Sequence, residues 1–523
     1  MKKLLLLFLC LYGSILIQAQ VSKTVNVDTA GGLYLTLSKI EKDSVTNLTI
    51  TGIVDARDFV TMKDSFPNLS VLDLSTVTIN AYSGILGTEH PNNHSYFSNT
   101  LPDNSFNRFK KLKAITLPQS ITTIGSATFD YCSGLSFIEI PSKVSSIGWY
   151  SFNLCSAMFT VDSNNQHFAS SDGVLFSKNL DTLICCPISK KGNYTIPNSV
   201  NFINDYAFEY CSLLTTISLP SSITAIGIST FSGCTALQSF VIPSSVIYIG
   251  SDAFSNCSSL TSLTIPSSVM SIGDEAFSYL SCPITVDVNN QYFSGIDGVL
   301  FNKNEDKLIQ CTLSQSRVYS IPTSVTTIGN YAFLGCKNLS IIAIPPSVTS
   351  IGNHAFLNCS LLTTITLPTS DSLIGYEAFY YCKKLQSIYC ESKIPANVKI
   401  NQRIFVGVDT INCILYVPIG SKTAYETAPV WKSFQHIVES AYLETQYLKE
   451  TNLLLSPNPA KTSFSTNNIG LAQVTVYNTN GTVVIRKSIS DNENIDIAIL
   501  PAGLYYVTIT TANGLVTKPL VVE

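Results

Sequence analysis

Charge is scarce in this chain of 523 residues: 13% are Asp, Glu, Lys or Arg, and the net charge is -4. With a pI near 5.8 and no basic stripe along the sequence, the charge distribution of a nucleic-acid or anionic-membrane binder is missing. Histidine is sparse too, with five residues at His90, His94, His167, His354 and His436. His90 and His94 stand four apart, as two metal ligands on a helix would, but the proline and asparagines of EHPNNH make that stretch a loop. No GxSxG, HExxH or phosphate-cradling glycine loop occurs. The chain is therefore read as a non-enzyme with no catalytic, cofactor-binding or metal residue.

Long apolar runs are also lacking beyond the first twenty residues. MKKLLLLFLCLYGSILIQAQ joins two lysines, an apolar run and the small residue of Gln18-Ala19-Gln20, the make-up of a signal peptide over 1–20. The run is short for a membrane span. Leu9 precedes Cys10 where lipidation wants a small residue. An exported protein without a transmembrane span is expected.

Repetition is abundant. Ile-Gly pairs place glycine at 125 and 148, at 227, 250 and 273, and at 329, 352 and 375, each step inside a group being 23 residues. The intervening steps, 148 to 204 (Asn204 in the glycine slot) and 273 to 329, are both 56. Their inserts match each other: VDSNNQHFASSDGVLF from Val161 and VDVNNQYFSGIDGVLF from Val286. A period of this length marks a solenoid. The unit reads L-x-x-I-x-I/L-P-x-x-V-x-x-I-G-x-x-A-F-x-x-C. Its first part alternates as a half-buried strand, proline ends that strand, V-x-x-I-G makes a second extended piece, and A-F-x-x-C reads as one helical turn. No unit buries its apolar side chains alone, so stacking makes the core. The predicted fold is thus a β-rich solenoid of parallel strands with short helical turns on its convex side.

The chain has 15 cysteines, eight of them in one repeat slot: 132, 155, 211, 234, 257, 336, 359 and 382. Disulfides are the first thought for an exported protein. One slot of a parallel stack points one way, however, a run of three cannot pair completely, and Leu280 fills the slot once. A column of buried thiols packing as small hydrophobes is expected. Asp172-Gly173 and Asp297-Gly298, with Asn-Asn upstream, give no defined calcium cage and read as turns.

The whole 23-residue sentence, over roughly residues 45 to 390, resembles the BspA-like leucine-rich repeats (Treponema-type) of bacterial surface proteins. That resemblance implies an adhesin for host matrix proteins or other bacteria, and it makes hairpins of Gly173–Cys185 and Gly298–Cys311. From Leu453 the composition changes to alternating strands and turns, the pattern of a small antiparallel β-sandwich. Pro457, Asn458 and Pro459, the Asn480-Gly481 turn, and Gly503, Leu504 and Tyr505 resemble the type A sorting domain of the Bacteroidetes type IX secretion system. This implies Sec export, outer-membrane passage and removal of the domain, commonly with lipopolysaccharide attachment. Pro519 inside the last strand departs from that pattern. The expected organisation is a signal peptide at 1–20, an N-terminal cap with diverged repeats at 21–110, the repeat array at 111–390, a C-terminal cap at 391–445 and the sorting domain at 446–523. Tyr425, Trp431 and Phe434 are read as cover for the array rather than as a binding patch.

If the strands line a concave sheet, their outward letters form a wall of hydroxyls and small apolar groups. Phe137, Glu139, Thr215, Thr216, Gln238, Thr261, Thr264, Thr363 and Thr364 are the contact residues expected for a protein or glycan on host or neighbouring cells, with the type IX machinery as a second partner and no nucleic acid. A structural envelope component without a specific ligand is the alternative.

Overall fold

The computed structural model describes residues 20–89, 91–312, 318–345, 347–367, 373–390, 392–395, 403–440, 455–456, 460–466, 472–478, 483–490, 493–511 and 514–522. The chain divides at Lys190 into two compact units.

The first unit opens with four parallel strands, Ser22–Val27, Asn47–Val54, Val71–Ile79 and Ala114–Thr116, in that spatial order. Helix Ala56–Asp64 returns the chain between the second and third strands, its start fixed by a capping box between Asp55 and Asp58. Asp58 is fully buried, yet its carboxylate accepts the backbone N–H groups of Gly31 at 2.7 Å, Leu33 at 2.9 Å and Asp55 at 2.9 Å, so no buried charge is left without partners.

Regular coils follow in both units. The constant 23-residue step sets each letter opposite its own copy: Ile124 faces Ile147, Ile226 faces Ile249 and Ile249 faces Ile272, all in parallel register. The L-x-x-I-x-L pieces pair likewise, Phe137–Ile140 with Met158–Val161 in the first unit. In the second unit they build a six-stranded parallel sheet from Val318–Ser320 to His436–Glu439. Copies of one residue therefore form columns. Phe208, Phe231, Phe254 and Phe277 stack with ring centroids 5.3, 5.5 and 6.1 Å apart, and Phe333, Phe356, Phe379 and Phe405 do the same at 4.9, 5.2 and 5.8 Å.

The helical turn expected of A-F-x-x-C is a succession of tight turns, with Cys234 N–H donating to Phe231 O and Leu237 N–H to Cys234 O. Helix cannot propagate there because two residues per coil stand in the left-handed region, such as Asp252 and Asn256 at φ 56° and 60°. This geometry swings amides toward the next coil: Phe231 N–H donates to Ala253 O at 2.9 Å and Phe254 N–H to Ala276 O at 2.8 Å. Coil-to-coil bonding thus continues where no strand exists.

Each 56-residue step adds an antiparallel meander. Phe168–Ser171, Val174–Ser177 and Thr182–Cys185 form one, and Phe293–Ile296, Val299–Asn302 and Lys307–Cys311 the other. The expected hairpins are present, each extended by a strand upstream. Their Asp-Gly corners have both residues at positive φ, 50° and 75° for Asp172 and Gly173, the turn that matches strand twist.

The C-terminal segment folds as antiparallel sheets, one of three strands and one of four, around Phe464, Val474, Val476, Val507, Ile509 and Leu520. Pro519 stands in the edge strand Gly514–Val522 opposite Tyr506. An edge tolerates the missing N–H, so the strand runs through the departure from the family pattern.

Candidate interaction surface

The column cysteines Cys132, Cys155, Cys234, Cys257, Cys336, Cys359 and Cys382 are buried free thiols. The column has a chemical role that sequence reasoning missed. The thiols of Cys132, Cys257 and Cys382 donate to the carbonyls of Phe106 at 3.1 Å, Phe231 at 3.1 Å and Phe356 at 3.2 Å, each 26 residues upstream. Burial pushes the thiols of Cys155, Cys257 and Cys382 up to about 12, so the thiolate needed for metal binding or disulfide exchange does not form near neutral pH. Among the described residues, no group of three or more His, Cys, Asp or Glu is placed to hold a metal ion. Glu89 and residues 91–92 are turn and bend in the connection between the strands Tyr82–Gly84 and His94–Tyr96, and His94 opens the second of them; His90 lies outside the described residues.

The Asn-Asn stretches serve structure. Asn290 is fully buried and uses its whole amide: Nδ2 donates to Pro266 O at 2.8 Å and Val269 O at 3.0 Å, and Oδ1 accepts from Tyr292 and Phe293 N–H at 2.8 Å each. Asn165 repeats the pattern with Pro141, Val144, His167 and Phe168. Tyr425 and Trp431 are buried, Trp431 against Phe405 and Phe434, and the Tyr425 hydroxyl donates to Ser392 O at 2.7 Å. Neither presents a binding patch.

The outward positions are divided rather than gathered. Phe137, 65% exposed, and Glu139 alternate with buried Ile138 and Ile140 in the first unit. In the second unit, Thr215 Oγ1 donates to Asn193 Oδ1 at 2.9 Å, Thr216 bridges Ser239, Thr261 Oγ1 donates to Gln238 O at 3.3 Å, and Thr264 and Thr285 share a hydroxyl bond of 2.8 Å. Farther along, Thr363 Oγ1 donates to Ser340 O at 3.0 Å and Thr364 pairs with Ile341 and Ser387. The hydroxyls of Thr215, Thr261, Thr264 and Thr363 thus bond to neighbouring coils, whereas Thr216 and Thr364 join them through the backbone ladder. On the same sheet, Tyr389 and Tyr416 stack in register, with centroids 4.5 Å apart and planes at 7°, in a row running Thr366, Tyr389, Tyr416, Val438. This pair was overlooked because the step from Ser387 to Ile414 is 27 residues, off the period; the alternation of SIYC and ILYV is the signal that could have found it. In the C-terminal segment Gly503 begins the last hairpin and the Tyr505 hydroxyl donates to Pro501 O at 2.8 Å; Pro457, Asn458, Pro459 and Gly481 lie outside the described residues.

Residues 93–194, 185–306 and 309–427 match the BspA type leucine rich repeat region, with six copies. The chain belongs to the BspA-type leucine-rich repeat family. Residues 455–523 match the secretion system C-terminal sorting domain, so this BspA-type protein is secreted or displayed at the cell surface. Neither family carries a catalytic activity in its description. Among the described residues no helix is long and apolar enough to cross a membrane.

Among solved structures the BspA-type chain is similar to a leucine-rich repeat protein from Eubacterium ventriosum, with 22% identity over 68% of this chain and 88% of that one and a TM-score of 0.37. A leucine rich cell surface protein from Faecalibacterium prausnitzii gives 24% identity over 66% and 84%, with a TM-score of 0.34. The pneumococcal vaccine antigen PcpA gives 17% identity over 63% and 80%, with a TM-score of 0.33. No curated protein matches the chain.

Proposed function

We propose that this exported BspA-type protein is an adhesin or recognition module that holds a protein of host or neighbouring cells against the outward face of its parallel sheet between Ile341 and Val438. The stacked Tyr389–Tyr416 pair carries the reading. Tyrosine offers a large contact area at small entropic cost, and interface energy concentrates in such anchors. Around the pair, Thr364, Thr366 and Ser387 supply hydroxyls on a backbone fixed by the ladder. Export runs through Sec and then the type IX machinery, with 446–523 as the sorting domain, 111–390 as the repeat array, and 21–110 and 391–445 as its caps. The purified mature protein, screened against matrix proteins, glycans and bacterial cells, should retain at least one protein partner. Uniform background binding, together with envelope fragility in cells lacking the protein, would instead make it a structural coat component.

A further inference from the structure

The first unit carries an open cleft of about 660 Å³ at the entry to its parallel strands, within the size range of ligand sites, roughly 300–1,000 Å³. Lys110, Lys111 and Lys113 line it together with Asn47, Asn68 and Ser70. In a chain of net charge -4, three lysines converge on one concavity whose lining holds no carboxylate. The ion pairs described in this unit, Lys23–Glu41, Arg57–Asp55 and Lys190–Asp172, leave all three out. One of them is positioned: Lys111 Nζ donates to Asn68 Oδ1 at 3.1 Å, and Asn68 Nδ2 donates to the carbonyl of Asp43 at 2.7 Å. The floor is rigid as well, since the N–H groups of Ser70 and Val71 donate to Thr46 O and those of Lys113 and Ala114 to Ser70 O.

We propose that this cleft binds an anionic oligosaccharide, a segment bearing sulfate or uronate groups, with the lysines taking the charges and the amides and hydroxyl taking the sugar hydroxyls. Charge alone fits any polyanion. The lining favours a sugar over an acidic peptide, because Val71 is its one aliphatic side chain and no aromatic joins it, whereas peptide recognition concentrates in apolar anchor pockets. The cleft shares no residue with the outward sheet face between Ile341 and Val438, and neither proposal depends on the other.

The test is calorimetric titration of the mature chain with a heparin tetrasaccharide, neutral maltotetraose and hexaglutamate at low and high salt. The tetrasaccharide binds, more weakly as salt screens it, and maltotetraose and hexaglutamate bind at least about tenfold more weakly. Lys110→Gln/Lys111→Gln/Lys113→Gln lowers tetrasaccharide affinity at least about tenfold. Lys113→Gln alone gives an intermediate loss and guards against a folding defect in the triple variant. Tyr389→Ser/Tyr416→Ser leaves this binding unchanged, so failure here and failure of the sheet-face reading are told apart. Unaltered affinity in the triple variant, no tetrasaccharide binding, or hexaglutamate binding as tightly as the tetrasaccharide would overturn the proposal.

Discussion

The thiol of Cys234 donates to the carbonyl oxygen of Phe208, 26 residues earlier in the chain, at 3.2 Å. The contact explains why the slot prefers cysteine to alanine: the side chain must be small, apolar and a weak donor at once. Cys234→Ala keeps most of the packing and loses the donor, and should cost about 1 kcal/mol in equilibrium denaturation. Cys234→Leu should cost about 1–3 kcal/mol through overpacking, although leucine is native at Leu280, where the chain is about to enter an insert.

Asn290 makes four hydrogen bonds from a fully buried amide. Asn290→Ala strands two carbonyls and two N–H groups and should destabilise by about 2–4 kcal/mol, seen as a lowered melting temperature. Asn290→Asp should be no better, because a carboxylate cannot donate to Pro266 O and Val269 O. A chelator should leave the wild-type transition in place, since these residues hold backbone rather than calcium.

Glu275 links stability to pH. Burial, then repulsion from Asp252, raises its carboxyl from 4.5 to about 7, with Asp274 adding less. A carboxyl raised on folding contributes stability that is complete below its unfolded value near 4.5 and is lost as pH climbs through about 7. Discounted for its half-exposed position, the loss between pH 5 and pH 8 should be about 1 kcal/mol. Glu275→Gln should flatten that slope and be the more stable protein at pH 8, as chemical denaturation at the two pH values will show.

Export tests the sorting tail. A chain truncated before Leu453 should be retained in the periplasm on fractionation, while the full-length chain reaches the surface or medium. Normal export of the truncated chain would remove the sorting assignment.

Much of the fold was legible because repetition amplifies a weak signal. One alternation of apolar letters is ambiguous, but the same letters at a fixed 23-residue step force parallel register, and register creates the phenylalanine and cysteine columns. The A-F-x-x-C turn was misread as helical because the left-handed backbone at Asp252, Asn256 and Tyr279 is carried by ordinary side chains; the hydrogen bonds to the next coil stabilise it. The lysine cleft was invisible for another reason. FKKLK is a short, unremarkable run in the sequence, and only the stacking of coils brings it beside Asn47 and Asn68. That the hydroxyls of Thr215, Thr261, Thr264 and Thr363 bond neighbouring coils was not legible either, because the letters give a side chain's chemistry but not its partner.

The exposed face of the sheet between Ile341 and Val438 is best tested by Tyr389→Ser/Tyr416→Ser in a quantitative attachment assay with the protein partner found by screening. Losing both rings of a central aromatic anchor should cost about 2 kcal/mol or more of binding, a loss of roughly thirtyfold, with the melting temperature little changed. Attachment equal to wild type, from a variant shown to be folded, would contradict the account.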